Sequence, residues 1–564
     1  MSLVGKTFGY FERFGDVAAL HPVLAGLLTI LILAPALLSV VVIARGQPRA
    51  ALWWAVISVM VAFGFSWGDD TDTHVYRIVA LSEQIRHGDL SLLLTNTSNA
   101  IAVPTFVFYS IVPYVVPVAL NLVGVPAFVA FKIISAFMFA VMGAGVLSVV
   151  DKVVTRERDS ARLAAIGCLA AVMFVAANYT FGLWTTRGSL GEFWAYALIP
   201  WVVSGALSEK PGIGLVLAFF LQITGHPIVF AHSMLCEVPA VLGLSRLSPL
   251  DLLRRTIGPL IVALILASPF WLPQVLWEPL IMGPAVLPAD FRDSFQGLIR
   301  LLDPKNNRNI GIWIPLAIVT MIAFSRGRLP WRAWMLVGAW ALLMALQTRY
   351  LAPITVRIPT LSLSLFVWRL MLPAAFLGFA ALFAGWPAVA TTGLRGLPFF
   401  ASAAVLSMAV LSILAAADYV PHFDSSTEDF ALLRTYDTDA EASIWGIREY
   451  WPNYAHVAQS CPPAGEVSVA RYGDLKVGLK VTQPFVAVER GPVGMVTYSA
   501  GGVAIQPSAC DTRLVLGPLP PGTTLRVSET KLNWLMALRG IFIAGLAIVL
   551  GAVLLGRIKE GRIW

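Results

Sequence analysis

Long apolar stretches recur along this chain and constrain its fold more than any other feature. Stretches of roughly 20 residues without Asp, Glu, Lys or Arg follow one another from residue 22 onward. A helix needs about 20 apolar residues to cross the bilayer core, which is about 30 Å thick. The chain is therefore predicted to be a polytopic α-helical membrane protein.

The composition agrees with a membrane location. Lys and Arg number 40 and Asp and Glu 32, so 13% of the 564 residues are charged, whereas an ordinary soluble domain carries about 25%. The mean hydropathy is +0.77 and 58% of the residues are hydrophobic. This balance excludes a soluble multidomain enzyme, a disordered scaffold and a secreted disulfide-rich module.

About thirteen transmembrane helices are predicted from the apolar stretches. The first begins after 21 mixed residues and lacks a small-residue cleavage site, so it is not a cleaved signal peptide. The predicted spans lie near 22–44, 50–66, 126–150, 162–178, 190–207, 212–225, 227–244, 256–272, 311–324, 333–347, 370–390, 397–417 and 540–556.

Lysine and arginine lie in alternate connecting loops, which predicts the orientation. Cytoplasmic loops carry an excess of these residues, so the net charge of +8 is largely an orientation signal and not a sign of nucleic-acid binding. The cytoplasmic residues are Arg45 and Arg49; Lys152, Arg156, Arg158 and Arg162; Arg246, Arg254 and Arg255; Arg326, Arg328 and Arg332; and Arg557, Lys559 and Arg562.

The remaining segments are predicted to face outward. Residues 1–417 form a transmembrane module, 418–532 an extracytoplasmic domain, and 533–564 the last transmembrane helix with a cytoplasmic tail. The outward loops of the module are 67–125, 179–189, 273–310 and 348–369.

Segment 101–125 has two interpretations. It is free of charge but contains Pro104, Pro113 and Pro117, so it is either a juxtamembrane or re-entrant piece or a further span. The first interpretation keeps the loop charges in phase, and we adopt it.

The extracytoplasmic domain is predicted to contain a small antiparallel β-sandwich at about 461–530. Short alternating runs there are separated by Gly and Pro. Cys461 and Cys510 bracket much of this region, and an oxidising compartment favours a disulfide between them over two unpaired thiols. The chain has no CxxC or HExxH pair, no P-loop and no GxGxxG after a strand, so no nucleotide cofactor is expected.

The densest outward polar cluster follows the second span and comprises Asp69, Asp70, Asp72, His74 and Arg77. Carboxylates this close repel one another and leave either a general base or a cation site, so a divalent cation on Asp69 and Asp70 is one possibility. Helical spacing places Asp70, His74 and Arg77 on one face. The alternative is that Asp70, Thr71 or Asp72 only caps a helix.

Two polar clusters lie at the outer ends of later spans. Arg187 and Glu192 form either an interfacial ion pair or a phosphate-binding arginine steered by a carboxylate. His226 stands in a short outward turn, where a structural role is more common than a catalytic one.

Further outward candidates are Arg357, Arg369 and Tyr450. Outward arginines depart from the positive-inside rule unless something anionic holds them, and a lipid phosphate fits because a guanidinium binds it bidentately. Ordinary phospholipid or snorkelling is the alternative. Tyr450 lies before the β domain, where aromatic side chains line a sugar site or only pack.

The order of these motifs resembles a known family. The acidic motif, the R-x-x-x-x-E pair Arg187 and Glu192, the F-W-L-P-x(4)-E stretch at 270–278, the V-W-R-L stretch at 367–370 and the R-E-Y-W-P stretch at 448–452 are similar to the bacterial membrane family labelled 6-pyruvoyl-tetrahydropterin-synthase-related. That family resembles the GT-C glycosyltransferases. Two features depart from the pattern: two spans precede the acidic motif instead of one, and no Pro precedes Trp368.

The resemblance implies a GT-C-like fold and a glycosyltransferase in a bacterial inner membrane, with its active site outside. It would move a sugar from a polyprenyl-phosphate donor to a glycan or glycolipid acceptor. Asp70, or else Asp69, would be the base, Arg187 and Arg369 would bind the leaving phosphate, and Arg357 would lie behind them. Asp72, His74, Arg77, Glu192, His226 and Tyr450 are the remaining candidate substrate-binding residues.

Two other classes of function remain open. A lipid-glycan flippase or transporter would place ionisable residues at mid-membrane and show two related halves. Lys132 and Glu237 are the main charges within the spans and no repeat is evident, so the one-sided polar clusters favour an enzyme. A non-catalytic assembly or adhesion subunit would display the β domain and tolerate loss of the acidic cluster.

Overall fold

The fold is given by a computed structural model of the chain. It describes residues 22–64, 66, 70–86, 88, 105–155, 159–209, 211–277, 294–302, 309–358, 366–389 and 396–424, and, in the C-terminal part, 465–466, 479–480, 486–489, 497–500, 502–505, 508–510, 513–518, 524–528, 534–535, 537–542 and 544. The predictions that rest on Asp69, Tyr450 and Cys461, and on the side chains of Asp72 and Cys510, lie outside this description.

The described part of residues 22–424 is almost entirely helical. Its helices are α1 (Pro22–Ala44), α2 (Pro48–Gly64), α3 (Thr71–Arg86), α4 (Thr105–Phe108), α5 (Val115–Leu122), α6 (Ala127–Val154), α7 (Ser160–Val175), α8 (Asn178–Gly182), α9 (Leu190–Ala197), α10 (Ile199–Ala206), α11 (Ile213–Gly225), α12 (Pro227–Leu244), α13 (Pro249–Leu266), α14 (Ser268–Trp277), α15 (Trp313–Phe324), α16 (Trp331–Leu346), α17 (Ala352–Thr355), α18 (Met371–Gly385) and α19 (Gly396–Asp424).

Length and composition of these helices make the chain a multi-pass membrane protein. In the described part, five helices are long and apolar enough to cross a bilayer, and two pairs of consecutive helices are apolar enough together but bend by 51° and 68°. Five shorter apolar helices accompany them. The count of about thirteen transmembrane helices therefore stays a prediction.

Two predicted segments differ from what the structure shows. The single span expected at 190–207 consists of α9 and α10, which are separated at Leu198. Pro200 near the start of α10 explains the break, because proline has no backbone N–H to continue the hydrogen bonding of α9. The outward loop expected at 179–189 is instead helical through Arg187 and largely buried. Its apolar side chains pack inside the helical module and not toward solvent.

The prolines of segment 101–125 divide its described part into short pieces. Helix α4, a 3₁₀ turn at Val112–Tyr114 that contains Pro113, and helix α5 with Pro117 in its first turn follow one another. No continuous helix of span length therefore occurs between residues 105 and 122.

The chain divides into two compact units. The first comprises residues 1–75, 112–263 and 286–435, and the second residues 76–111, 264–285 and 436–564. In the first unit, α18 is buried along nearly its whole length and packs against α7, α12, α15 and α16. It forms the centre of that unit's apolar core.

The second unit contains the strands of the C-terminal region. They are β1 (Gly465–Glu466), β2 (Leu479–Lys480), β3 (Val486–Glu489), β4 (Thr497–Ala500), β5 (Val503–Ile505), β6 (Ser508–Cys510), β7 (Arg513–Leu516) and β8 (Thr524–Ser528). They form two four-stranded sheets with the orders β1-β3-β7-β6 and β2-β8-β4-β5.

One strand pair departs from the predicted antiparallel pattern. Strand β1 pairs with β3 in parallel, whereas the other pairs in both sheets are antiparallel. A parallel pair needs a long connection, and here the chain passes through β2 of the other sheet before it returns. That the two sheets form a β-sandwich stays a prediction.

The packing of α18 gives a test of the helical core. A Cβ atom on Gly378 would lie 2.4 Å from Cγ2 of Ile314 on α15, and that methyl group sits on a branched carbon with little freedom to move. We expect Gly378→Ala to destabilise the protein by about 1–3 kcal/mol through overpacking.

The matched control is Gly338→Ala on α16, where a Cβ atom meets nothing within 4 Å. It should leave the melting temperature unchanged or slightly raised, because alanine favours helix over glycine by about 1 kcal/mol. Thermal melts of both variants in detergent measure the difference, and equal melting temperatures would contradict the packing of α15 on α18.

Candidate active site

The acidic motif is tied by its backbone to the segment that carries Arg187. The Asp70 N–H donates to the carbonyl oxygen of Arg187 at 2.7 Å, and the Asp70 carbonyl accepts from the N–H of His74 at 3.2 Å. Asp70 thus stands directly before α3 and its carbonyl closes the first helical turn. Two segments more than 100 residues apart in sequence therefore meet at one point.

Four charged side chains form a continuous ion-pair chain at this point. Oδ2 of Asp70 lies 3.4 Å from Nε of Arg187, Nη2 of Arg187 lies 3.1 Å from Oε1 of Glu192, and the same oxygen accepts from Nε of Arg369 at 2.8 Å. Two carboxylates and two guanidiniums make the group neutral overall. We call these residues the four-charge cluster.

Exposure rises along the cluster from Glu192 to Asp70. The side chain of Glu192 is 0% exposed, that of Arg369 6%, that of Arg187 17% and that of Asp70 37%. A buried carboxylate is costly unless opposite charges compensate it, and Glu192 lies between two guanidiniums. Asp70 is the end of the cluster that reaches solvent.

An unusual turn places Arg187 beside both carboxylates. Residues Leu183–Arg187 form a π-helical turn, and the N–H of Gly188 donates to the carbonyl of Leu183 at 3.1 Å. Gly188 has φ +71°, a left-handed conformation that glycine adopts without strain. Single π-helical turns occur frequently at functional sites because they redirect a side chain out of the regular helical row.

Helix α9 and the turn before α18 bring Glu192 and Arg369 together. Glu192 lies in the first turn of α9, and Tyr196 lies one turn further on. The Tyr196 hydroxyl donates to the carbonyl oxygen of Arg369 at 2.7 Å. Oγ of Ser294 accepts from the N–H of Val367 at 2.9 Å. These bonds fix the 3₁₀ turn Val367–Leu370 that carries Arg369.

An aromatic side chain covers the two arginines. The ring centroid of Phe366 lies 5.6 Å from Cζ of Arg187 and 5.5 Å from Cζ of Arg369, and the ring stacks on Trp368 at 4.0 Å. A guanidinium within about 6 Å of a ring is attracted to it. Phe366 therefore helps to hold two like charges close together.

His74 lies inside the protein and not on an open face. Its Nε2 accepts from the N–H of Leu190 at 3.1 Å, its Nδ1 lies 2.5 Å from the Tyr114 hydroxyl, and its ring stacks on Phe131 at 6.1 Å. An imidazole that accepts at Nε2 carries its proton on Nδ1. Both ring nitrogens have protein partners, and His74 positions the start of α9 two residues before Glu192.

His226 caps a helix. Its Nδ1 accepts from the N–H of Val229 at 3.4 Å at the start of α12. Burial, reinforced by the positive charge of Arg369, lowers the pKa of His226 to about 3, so the ring is neutral at physiological pH. The structure thus gives His226 a capping contact near the cluster.

The other predicted site residues have no described ion pair with the cluster, or they lie outside the described residues. Cζ of Arg77 lies 4.0 Å from the ring centroid of Tyr109, and the side chain is buried. Arg357 is exposed, and no described ion pair joins it to the four-charge cluster. Asp69, the Asp72 side chain and Tyr450 lie outside the described residues.

The described residues include only one of the two carboxylates, Asp70, on which a divalent cation was predicted. They contain no group of three or more His, Cys, Asp or Glu side chains that could hold a metal ion. Asp70 lies beside the guanidinium of Arg187, whose positive charge repels a cation. Whether Asp69 and Asp70 together hold a divalent cation stays a prediction.

The chain is similar, at low identity, to a solved arabinofuranosyltransferase. No protein-family model matches it, and no curated protein matches it. The cryo-EM structure of arabinofuranosyltransferase AftD from Mycobacteria is 17% identical with a TM-score of 0.39, over 66% of this chain and 26% of that chain. The match thus spans about a quarter of that chain's length. At this similarity it does not establish a shared activity.

Sequence reasoning missed three residues that support the site. Tyr196 and Phe366, which contact Arg369, and Tyr114, which contacts His74, were not among the candidates. Tyr196 follows Glu192 by four residues, the spacing of neighbours on one helical face, so this signal was present in the sequence. The contacts of Phe366 and Tyr114 depend on tertiary packing.

Lys132 and Glu237, the main charges within the predicted spans, also support this region. Nζ of Lys132 donates to the carbonyl of Phe63 in the last turn of α2, at 2.7 Å, and to that of Ser66 just after α2. Both carbonyls precede the acidic motif. Oε1 of Glu237 accepts from Nε2 of Gln222 at 2.6 Å, and the same amide lies 3.3 Å from the carbonyl of Ala195 on α9. Both side chains therefore stabilise segments that carry or adjoin site residues.

Glu192 gives a test of the four-charge cluster. Glu192→Gln removes the negative charge that Arg187 and Arg369 share in the described cluster. We expect a loss of about 3–5 kcal/mol in the free energy of unfolding, the cost of breaking a buried ion pair from one side.

The matched control is Glu83→Gln, which breaks the more exposed pair of Glu83 with Arg86 on α3. Such pairs contribute about 0–1 kcal/mol. Melting temperatures measured in one detergent compare the two variants. If Glu192→Gln melts no lower than Glu83→Gln, the cluster does not stabilise the fold as described.

Proposed function

We propose that the chain is an integral membrane glycosyltransferase that moves a sugar from a polyprenyl-phosphate donor to an extracytoplasmic glycan or lipid-linked acceptor. The observation that carries the proposal is the four-charge cluster, in which one solvent-reaching carboxylate, Asp70, lies beside the partly buried Arg187, and a buried Glu192 links Arg187 to the buried Arg369. We place the protein in a bacterial inner membrane with this site and the C-terminal domain outside.

Asp70 is the general base of the proposed reaction. A base must come within hydrogen-bond reach of the hydroxyl whose proton it takes. Of the two carboxylates in the cluster, Glu192 is enclosed and engaged by two guanidiniums, whereas Asp70 reaches solvent. Asp69 stays an alternative base because it is adjacent in sequence.

Arg187 and Arg369 supply the positive charge that the leaving phosphate needs. A phosphate that departs from an anomeric carbon gains negative charge, and fixed cations stabilise it in the transition state. Arg187 is the more exposed of the two and lies directly beside Asp70. Arg369 lies deeper and is held by Glu192, so it acts behind Arg187.

The proposed step is a single displacement. The acceptor oxygen attacks the anomeric carbon, and its proton passes to Asp70. The bond between that carbon and the phosphate oxygen breaks, and polyprenyl phosphate leaves with the electron pair. One base and one leaving-group site suffice for this step, which inverts the configuration at the anomeric carbon.

Two observations weigh against a transporter. A transporter needs intramembrane charges that can release and rebind ions. Lys132 is instead bound to two backbone carbonyls, and Glu237 is paired with Gln222. A non-catalytic adhesion subunit would have no use for buried charges beside a solvent-reaching carboxylate.

Neutralising the base should abolish turnover. We expect Asp70→Asn to lower the transfer rate by at least about 100-fold, within the range attributed to general base catalysis, while the protein folds normally. The assay follows transfer of radiolabelled sugar from a panel of synthetic polyprenyl-phosphate sugars to extracted cell-envelope glycans. Full activity of a variant with both Asp69 and Asp70 neutralised would refute the proposal.

Removing the arginine that binds the phosphate should instead weaken donor binding. We expect Arg187→Gln to raise the Kd for decaprenyl phosphate by about tenfold or more, equivalent to about 1.4 kcal/mol, whereas Asp70→Asn leaves this Kd within about twofold of the wild type. The matched control is Arg357→Gln, since Arg357 is exposed and outside the cluster. Equal losses in all three variants would show that binding does not depend on Arg187.

A further inference from the structure

A cavity of about 400 Å³ lies at the ends of helices α6, α12 and α18. It is lined at one end of α6 by Lys152, whereas Lys132 of the same helix binds the carbonyls that precede the acidic motif. The two lysines are 20 residues apart. At 1.5 Å per helical residue this is about 30 Å, the thickness of the bilayer core. The cavity and the acidic motif therefore lie at opposite headgroup levels.

The lining of the cavity has an excess of positive charge. Its ionisable residues are one acid, Asp159, and four bases, Lys152, Arg162, Arg246 and Arg332. The nearest Arg162–Asp159 contact is a loose one of 4.0 Å between exposed side chains, and the neighbouring acid Asp151 is paired with Arg49 at 2.5 Å. In the described part of the chain, Lys152 and Arg332 have no ion pair.

The rest of the lining is largely apolar. Leu163, Leu207 and Phe383 contribute to it, and the last two are buried. Trp331 and Trp334 at the adjoining start of α16 are 64% and 46% exposed. Exposed tryptophans of membrane proteins concentrate at the headgroup level. The cavity therefore combines a basic mouth with an apolar interior at the boundary between headgroups and acyl chains.

We propose that this cavity binds an anionic phospholipid, with its phosphate among the basic side chains and the first part of an acyl chain in the apolar interior. The charge supports an anion, because guanidinium and ammonium groups are the usual phosphate partners. The apolar lining supports a lipid over a free anion, which gains nothing from Leu207 and Phe383. The volume lies within the about 300–1,000 Å³ typical of small-ligand sites. The site is separate from the proposed glycosyltransferase centre.

A simpler explanation of the basic residues would apply to any membrane protein. Arginine and lysine accumulate on the cytoplasmic side of membrane proteins and complement the carbonyls at helix C-termini, such as those of α6 and α12. If this were their whole role, basic residues elsewhere on the same predicted side would contribute equally to lipid binding. Arg45 and Arg254 are exposed on that side and do not line the cavity.

The test is a lipid titration of the full-length protein in detergent, followed by native mass spectrometry with dioleoylphosphatidylglycerol. Lys152→Gln with Arg332→Gln removes two unpaired charges. Ala384→Phe fills the cavity and keeps the charges, since Ala384 is among its lining residues. Arg45→Gln with Arg254→Gln is the charge-matched control. Dioleoylphosphatidylcholine and inorganic phosphate are titrated in parallel, and thermal melts establish that each variant folds.

We expect the double charge variant and Ala384→Phe each to weaken phosphatidylglycerol binding about tenfold or more, equivalent to about 1.4 kcal/mol. The control should change it less than about twofold. Phosphatidylcholine should bind more weakly to the wild type. If the double variant fails to fold, Ala384→Phe decides.

Three results would overturn the proposal. Equal losses in the control and the cavity variants would assign binding to diffuse surface charge. Unchanged binding in Ala384→Phe would show that the cavity does not hold the lipid. Binding of inorganic phosphate that displaces the lipid at equal concentration would identify the occupant as a free anion.

Discussion

The pairing of buried Glu192 with two guanidiniums is the interaction on which the candidate site depends. Isolated, each of these charges would be too costly to bury. Together they fix the ends of three segments: the π-helical turn with Arg187, the start of α9 and the 3₁₀ turn before α18. Because Arg187 also contacts Asp70, the same pairing determines where the solvent-reaching carboxylate stands.

Several further hydrogen bonds stabilise the segments that carry this cluster. Lys132 binds the carbonyls that end α2, His74 accepts from the N–H of Leu190, and Tyr196 donates to the carbonyl of Arg369. Each uses a polar side chain to satisfy a backbone group at a helix end, where carbonyls and N–H groups lack helical partners. Because Phe63, Leu190 and Arg369 are buried, the partners of these backbone groups come from within the protein.

The sequence predicted the membrane class and the position of most helices because both depend on apolar length. It also identified Arg187, Glu192 and Arg369 as candidates, since charges are rare in this chain and each is conspicuous. It left open whether Arg187 and Glu192 pair, and it did not foresee that Arg369, 177 residues from Glu192, shares the same carboxylate oxygen. Such a contact depends on packing between distant helices.

Helical spacing had more limited value for His74. Periodicity placed it on one face with Asp70 and Arg77, but it carries no information about what that face meets. The structure encloses His74 between Tyr114, Phe131 and the start of α9. The break between α9 and α10 was likewise hidden by an uninterrupted apolar run, although Pro200 marked it.

The central claim is that a lipid phosphate binds beside Asp70, and a cryo-EM structure with decaprenyl phosphate tests it most directly. The account predicts phosphate density in contact with the guanidinium of Arg187 and within a few ångström of the Asp70 carboxylate. Phosphate density found only at the opposite headgroup level, with none at Arg187, would contradict it.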